Sequence, residues 1–300
     1  MKKLIAVISA VALIGALATG CSGNGGDTSA TGTPGTGTSE TGAAPSISGS
    51  ITAAGSSALA PLVDFAAKEF KASNPDVSIT VNAGGSGTGL NQVAQQSIDI
   101  GNSDVPAESK LTPEQAAKLV DHKVCVIGVA AVVNPDVSVS NLTTDQLISI
   151  FTGKVTNWKD VGGQDEAITV IGRPSSSGTR ALFKEFALDN NEEMTTTLQS
   201  DDSGTLLTNI ASTKGAIGYL ALSYLIGNDK VKTLNIDGVE PTLDNIYNGT
   251  YKCWGEEHMY TYGEATGAVK AFLDFMVSDE FGKSMETLGY GVFGKMQVSR

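Results

Sequence analysis

The chain has few cysteines, few histidines and few basic residues. Its 300 residues include three cysteines, two histidines, and 20 lysines and arginines against 32 aspartates and glutamates. His122 and His258 are far apart in the sequence, no CxxC pair occurs, and no cluster has the spacing of metal ligands. The sequence therefore predicts neither a zinc site nor a redox dithiol, and it indicates no cofactor.

The shortage of basic residues also limits the classes of partner. The formal net charge is −12 at pH 7, and no basic stripe is present, which argues against a nucleic-acid partner. A small anionic ligand is still compatible with this charge. Distant surface charges are screened over about 8–10 Å, so the nearest groups decide what a buried site binds.

Only one apolar run is long enough to suggest targeting. Residues 4–18 follow Lys2 and Lys3 and have the length of the apolar core of a signal peptide, which is short for a membrane-spanning helix. The run leads into LATGC at residues 17–21, which resembles the cleavage box of bacterial lipoproteins. In that interpretation residues 1–20 are removed and Cys21 carries the acyl chains. The alternative is an ordinary secretory signal with a cysteine there by chance.

The segment after the signal has the composition of a linker. Beyond Cys21, residues 21–45 are dominated by Gly, Thr, Ser and Ala, which cannot bury a core and behave as a flexible tether. We therefore expect the folded part to start near Ser46, leaving residues 46–300 for one large domain or two smaller ones.

Apolar periodicity in the folded part alternates between strand and helix. Strands are predicted at residues 47–53, 77–81, 98–101, 124–133, 168–171, 215–220 and 231–236, with a late strand around Tyr260. Helices are predicted near 59–70, 90–96, 142–151, 179–188, 206–211, 265–276 and 281–288, and another begins after Thr112 and Pro113. This order indicates an α/β fold with mainly parallel sheets.

Four of the predicted strands run into loops of Gly, Ser or Thr. The loops contain GSSAL at residues 55–59, GGSGTG at 84–89, GNSD at 101–104 and RPSSSGTR at 173–180. Such loops at helix starts expose backbone N–H groups and hydroxyls, and open α/β sheets place their sites at these strand ends. Three loops precede residue 105 and the fourth lies near 175, which indicates two lobes with a small oxyanion between them.

The fourth loop has the highest density of donors. The guanidinium group of Arg173 can bind two oxygens of a tetrahedral anion, and Ser177, Thr179 and the amides around Gly178 can add further donors. The alternatives are a surface salt bridge for Arg173 and a simple helix cap for the serines. Arg180 either assists the ligand or only pairs with a carboxylate.

The first two loops are less specific. Either Ser56 or Ser57 could cap the helix that follows. The second loop is neither a Walker A loop nor a GxGxxG fingerprint, so a nucleotide ligand is weakly supported.

Asp104 is the unusual member of the set. A carboxylate should repel an anion unless the anion still carries a proton, as phosphate does at neutral pH and sulfate does not. Asp104 therefore favours phosphate, unless it serves as a helix cap or pairs with Arg173 or Arg180. No G-x-S-x-G elbow is present and no histidine lies near a serine loop, so we predict a binding protein rather than an enzyme.

Taken in order, these motifs resemble the phosphate-binding component of bacterial and archaeal high-affinity phosphate ABC importers. The resemblance extends from residue 47 to the end of the chain and rests on GSSALAP at 55–61, GGSGTG at 84–89, DIGNSD at 99–104, IFTGKVTNW at 150–158, RPSSSGTR at 173–180 and GAIGY at 215–219. It implies a type II periplasmic-binding-protein fold of two α/β lobes with the ligand cleft between them. Lobe one would comprise residues 46–133 and 252–300 and lobe two residues 134–251, with crossover strands near Val124 and in 251–262. We interpret Trp158 as structural.

The resemblance also implies a ligand set and a role. Phosphate would be bound by the hydroxyl of Ser57 and the amide of Ala58 from the first loop, by Ser86 from the second, by Asp104 as proton acceptor, and by Arg173, Ser177, Gly178 and Thr179 from lobe two. The protein would be a lipid-anchored, extracytoplasmic monomer that delivers phosphate to the permease subunits of an ABC importer. The alternatives are a binding protein for tungstate, molybdate or sulfate and, from another class, a phosphatase on this fold.

Cys125 and Cys253 are the two cysteines beyond Cys21. In an exported protein they could form one disulfide, or they could be two separate buried thiols. By the resemblance both would lie near the hinge, which modestly favours their pairing.

Overall fold

The computed structural model describes residues 47–300. The predicted signal segment, the tether and Cys21 lie outside the described residues. Within 47–300, no helix has both the length and the apolar character needed to cross a membrane.

The strands alternate with helices along most of the chain. The strands are β1 Gly49–Gly55, β2 Val77–Ala83, β3 Ile100–Ser103, β4 Leu119–Val133, β5 Asn141–Leu142, β6 Thr169–Val170, β7 Ala216–Ala221, β8 Lys232–Thr233, β9 Asn235–Ile236, β10 Trp254–Tyr262 and β11 Tyr290–Gly291. The helices are α1 Ala60–Ser73, α2 Ser86–Ala94, α3 Pro113–Ala116, α4 Thr144–Phe151, α5 Gly178–Phe186, α6 Ser203–Ser212, α7 Leu243–Tyr247, α8 Gly267–Met276 and α9 Asp279–Met285.

One large sheet organises the molecule. Its strand order is β2-β1-β3-β10-β4-β7-β6, with β8 and β11 also paired to β4, while β5 and β9 form a separate two-stranded sheet. Strand β1 pairs in parallel with β2 and β3, and β6 pairs in parallel with β7. Strands β4 and β10 run antiparallel to each other and to their other neighbours. The prediction of mainly parallel sheets is therefore wrong, because these two long strands return through the middle of the sheet.

The two largest buried cores of the described residues lie along this sheet. The first core is built on β1, α1, β2 and α8, where the rings of Phe70 and Phe272 meet edge to face with centroids 5.5 Å apart. The second core is built on α4, α5 and β7, where Phe183 and Tyr219 stack at 4.2 Å. Strand β4 contributes side chains to both cores. The predicted α/β fold with two lobes is confirmed, and one continuous strand joins the two cores.

Local signals explain several element boundaries. Thr112 and Thr143 each form a capping box, with Gln115 and Gln146 respectively, and Pro113 takes the first helical position as predicted. By contrast, α2 begins at Ser86, inside the segment predicted as loop, despite its many glycines. The predicted strand at 231–236 divides into β8, which pairs with β4, and β9, which pairs with β5.

Trp158 has the structural role assigned to it. Its side chain is fully buried, and its indole N–H donates to the carbonyl oxygen of Gly215 at 3.0 Å. A buried indole needs such an acceptor. This contact ties the segment before β6 to the start of β7.

The two cysteines do not form the suggested disulfide. Cys125 and Cys253 are both buried free thiols. Cys125 lies opposite Glu257 on β10, whereas the carbonyl oxygen of Cys253 accepts from the backbone N–H of Val129. The four residue steps from 125 to 129 along the strand span roughly 13 Å, while a disulfide needs Cα atoms within about 7 Å. The register of β4 against the segment before β10 therefore keeps the thiols apart.

Candidate functional site

The first loop follows β1 and is shaped by Gly55. A Cβ atom at this position, where φ is +136°, would lie 2.1 Å from the carbonyl oxygen of Asn102, so only glycine fits. Ser56 Oγ then accepts hydrogen bonds from the backbone N–H groups of Ala58 and Leu59, both at 3.1 Å. Ser56 therefore stabilises the turn that leads into α1, whose own N-cap residue, Leu59, has no side-chain cap. The amide of Ala58 is engaged in this turn, so the structure does not present it as a free donor.

Ser57 is left to face the opposite half of the molecule. Its hydroxyl donates to the carbonyl oxygen of Asp201 at 2.7 Å and lies 2.9 Å from Ser203 Oγ. The backbone N–H of Ser203 donates to Ser57 Oγ at 3.1 Å. Ser57 is buried next to the first turn of α6, where backbone N–H groups lack helical partners.

Ser86 and Asp104 meet between the second and third loops. Both side chains are buried, and the backbone N–H of Asp104 donates to Ser86 Oγ at 3.0 Å. The Thr179 hydroxyl reaches Asp104 from α5 and donates to Oδ2 at 2.6 Å. Asp104 Oδ1 has no hydrogen-bond partner among residues 47–300. The predicted acceptor is thus held in place on one oxygen and unpaired on the other.

Arg173 is the charged donor of the site and is completely buried. Its Nη1 donates to the carbonyl oxygen of Asp201 at 3.3 Å and its Nη2 to Ser203 Oγ at 3.0 Å. Its Nε has no acceptor within the described part of the chain. A buried guanidinium with unused donor capacity is suited to bind an anion.

A second group of side chains, those of Glu193, Tyr219 and Arg180, supports the position of Arg173. Glu193 accepts from the Tyr219 hydroxyl at 3.0 Å and from the backbone N–H of Arg173 at 3.3 Å. Arg180 lies 3.2 Å from the Glu193 carboxylate and donates to the Arg173 carbonyl oxygen at 2.6 Å. Burial raises the pKa of Glu193, opposed mainly by the charge of Arg180. Of the two alternatives for Arg180, the structure shows the pairing with carboxylates.

The start of α5 approaches the first half of the molecule closely. Ser177 caps this helix by accepting from the backbone N–H of Arg180 at 3.3 Å. A Cβ atom on Gly178 would lie 2.2 Å from Ser86 Oγ and 2.9 Å from Asp104 Cβ. Only a residue without a side chain can bring the helix N-terminus, with its partial positive charge, this near to Asp104.

Lys110 forms a further contact across the same boundary. Its Nζ donates to the carbonyl oxygens of Ser175 at 2.7 Å and Ser177 at 3.3 Å. Burial lowers the pKa of Lys110, although the charges of Asp201 and Asp104 oppose this. Lys110 therefore holds the fourth loop against the segment that follows Asp104.

The sequence-based prediction missed residues that belong to the site. Asp201 and Ser203 accept from Arg173 and contact Ser57, yet neither was assigned a role. A signal was present, because the SGT sequence of residues 177–179 recurs at 203–205, again at a helix start. Glu193, which supports Arg173, was also missed, since nothing adjacent in sequence marks it.

Of the eight predicted ligand residues, all except Ala58, whose amide is used within the first loop, therefore lie together in one region. Hydroxyls, one guanidinium and the starts of α2 and α5 lie around the buried carboxylate of Asp104. A second carboxylate, that of Asp201, accepts from the Ser176 hydroxyl at 2.9 Å through Oδ2, and its buried Oδ1 has no partner among residues 47–300. This arrangement can bind a small tetrahedral oxyanion that carries a proton. Within 47–300, no group of three or more His, Cys, Asp and Glu side chains could hold a metal ion.

Comparison with known proteins places the chain in a family. A family model described as a PBP superfamily domain matches residues 28–280. A protein of Bacillus subtilis strain 168, named phosphate-binding protein PstS, is 52% identical over 254 residues, which cover 84% of each chain. The chain belongs to the PstS family of the PBP superfamily. A further PstS, from Staphylococcus saprophyticus, is 28% identical over 256 residues and covers 81% of this chain and 80% of its own.

Solved structures extend the PstS family comparison. A putative phosphate ABC transporter substrate-binding protein from Clostridium perfringens, solved with bound phosphate, superposes with a TM-score of 0.74 at 31% identity, covering 81% of this chain and 99% of that one. An ABC-type phosphate transport receptor from Vibrio cholerae gives a TM-score of 0.63 at 28% identity, with coverage of 81% and 99%. These likenesses span nearly the whole of both solved chains, so the shared fold includes both halves of the site.

Proposed function

We propose that this protein is an extracytoplasmic solute-binding protein that binds inorganic phosphate and delivers it to the permease of an ABC importer. The observation that carries the proposal is Asp104, a buried carboxylate among the buried donors of Ser57, Ser86, Arg173 and Thr179. The names of the relatives, which are phosphate-binding and phosphate-transport proteins, support the same ligand and describe binding rather than catalysis.

The chemistry of the acceptor favours phosphate over other oxyanions. At neutral pH phosphate retains at least one proton and can donate a hydrogen bond to the carboxylate of Asp104. Sulfate, molybdate and tungstate are unprotonated there and would bring a bare oxygen against the same carboxylate. A buried acceptor left unpaired beside a like charge disfavours those ligands.

Binding of phosphate by the purified folded part, residues 46–300, tests the function directly. Isothermal titration should give a Kd in the micromolar range or below, corresponding to roughly −8 kcal/mol or more favourable. Sulfate and molybdate are the matched controls, because they share the tetrahedral shape and lack the proton. No heat with phosphate, under conditions in which either control binds, would refute the proposal.

The attachment and organisation of the protein extend this proposal. Residues 1–20 would be removed as a signal peptide, Cys21 would carry the lipid, and 21–45 would tether a monomeric body of two lobes, 46–133 with 252–300 and 134–251. The LATGC sequence at 17–21 supports the lipid anchor.

Lipidation can be tested on the full chain. We expect wild-type protein in the membrane fraction, with an acylated N-terminal cysteine peptide in its mass spectrum. The Cys21→Ser variant should lose both. A wild-type N-terminal peptide without acyl mass would remove the anchor and leave phosphate binding untouched.

A further inference from the structure

Glu257 is a buried carboxyl group without a counter-charge. It lies in β10 beside β3, next to the paired residues His258 and Ser103, at an irregularity in the pairing of β10 with β4. Its side chain is fully buried, and none of the salt bridges within residues 47–300 includes it. An ionised carboxylate in such a place is costly, because no cation replaces the water that it has lost.

The neighbours of Glu257 explain how it is accommodated. The antiparallel register that pairs His258 with Ser103 brings Glu257 opposite Asp104, and the two carboxyl groups are within hydrogen-bonding reach. If both carboxyl groups were ionised, they could only accept hydrogen bonds. Both oxygens of Glu257 and Oδ1 of Asp104 would then have no donor anywhere in 47–300. A single proton on Glu257 removes the conflict, because the acid can then donate to Asp104 Oδ1.

The other groups that face Glu257 cannot supply a charge in place of this proton. Cys125 lies opposite it on β4, and Tyr290 approaches from β11. Burial raises the pKa of Cys125 and of Tyr290 well above their ordinary values, and the charge of Glu257 would raise both further. Both groups are therefore neutral, and the Tyr290 hydroxyl already donates to the carbonyl oxygen of Ala58 at 2.5 Å.

We propose that Glu257 is a specificity-determining positioning residue, a neutral carboxylic acid whose hydrogen bond to Oδ1 fixes Asp104 as the single acceptor for the proton of the ligand. With Thr179 bound to Oδ2, this second donor sets the plane of the Asp104 carboxylate. A neutral Glu257 also adds no negative charge of its own next to that of Asp104. The inference rests on phosphate binding by this site, as proposed above.

The proton balance agrees with this geometry. Burial and the neighbouring Asp104 raise the pKa of Glu257 well above its ordinary value of 4.5. Between that value and the raised one, the folded protein holds a proton that the unfolded chain releases, so this group makes the fold less stable as pH rises. Glu257→Gln cannot ionise, so its stability relative to wild type should grow from acid to neutral pH.

Three variants separate this role from simple packing. Glu257→Gln keeps the shape and an N–H donor, and it should weaken phosphate binding by less than about tenfold at neutral pH. Glu257→Leu keeps the volume without the donor and should weaken binding by about a hundredfold. Glu256→Gln is the matched control, because its partly exposed side chain pairs with Lys123 on the surface and it should bind as wild type does.

The protonation state can be observed directly. At neutral pH, the infrared spectrum of wild type should contain the C=O band of a protonated carboxyl group, which shifts on 13C-glutamate labelling. The band should be lost in Glu257→Gln and kept in Glu256→Gln. The proposal would be overturned if Glu257→Gln lost only bands of ionised carboxylates and kept the band of the protonated carboxyl group. Equal phosphate affinities for the Gln and Leu variants would also overturn it.

Two further outcomes are decisive. If neither position-257 variant folds, wild-type protein labelled with 13C-glutamate still tests the inference. The absence of a protonated-carboxyl C=O band at neutral pH would refute it. If wild type fails to bind phosphate, the proposed function fails, while the infrared result still reports whether Glu257 holds a proton.

Discussion

Replacing Arg173 with methionine should weaken phosphate binding about a thousandfold, or roughly 4 kcal/mol, because an anion in the site would lose its buried charged donor. Arg173 is completely buried and uses its two terminal nitrogens on Asp201 and Ser203, with Nε unpaired within 47–300. In surroundings of low dielectric this charge acts with little screening. Titration calorimetry of the purified variant measures the loss.

Two companion variants show whether phosphate binding needs the planar pair of guanidinium donors or only the positive charge. Arg173→Lys keeps the charge without the planar pair of donors, and it should recover only part of the lost affinity. Lys184→Met removes one positive charge from α5, the helix that follows the loop of Arg173. Lys184 pairs there with the exposed Glu192, and its replacement should leave phosphate binding unchanged. A thermal melt shows that each variant is folded. Folded Arg173→Met that binds phosphate within tenfold of wild type would remove Arg173 from the site.

Arg173 also shows how the site is organised in layers. Glu193 and Arg180 contact its backbone, and its guanidinium lies over the ring of Tyr219, 5.7 Å from the centroid. None of these three residues reaches Asp104 or Ser57 through a hydrogen bond in the described residues. A ligand-binding geometry depends on such supporting contacts, because they fix the rotamer of the residue that touches the ligand. Glu193, Tyr219 and Arg180 therefore position Arg173, and they do not themselves bind the anion.

The sequence predicted the donor loops because each signal is local. A short apolar strand followed by Gly and Ser, as at GSSAL 55–59 and RPSSSGTR 173–180, identifies both the strand end and the donors. The helix starts at Ser86 and Gly178 differed only by a few residues from expectation. These features can be recognised within a short stretch of sequence, without knowing which distant segments pack against it.

Features that depend on distant segments could not be predicted in the same way. Strand direction in the middle of the sheet is set by β4 and β10, whose pairing partners are far away in sequence. The contact of Glu257 with Asp104 arises from the same pairing, more than a hundred residues apart along the chain. Likewise, the separation of Cys125 from Cys253 follows from strand register, which composition does not encode.

Replacing Asp104 with asparagine should change which anion the protein prefers. A site built to accept a ligand hydroxyl rejects the analogue without it by about 10⁴-fold, and we expect wild type to discriminate phosphate from sulfate on this scale. Asparagine keeps the size of the side chain but removes the charge, and its amide N–H can donate to an unprotonated oxygen. The ratio of sulfate Kd to phosphate Kd should therefore fall by about a hundredfold or more.

The control for this variant is Glu108→Gln, which removes an exposed carboxylate four residues further along the same segment. It should leave the ratio as in wild type, because a distant surface charge is screened from the site. Both ratios are measured by titration at neutral pH and at one fixed ionic strength. Unchanged discrimination in Asp104→Asn would show that the buried carboxylate does not accept the phosphate proton. Selectivity would then have to come from the donor set of Ser57, Ser86 and Arg173, which by itself distinguishes a tetrahedral anion only by size and charge.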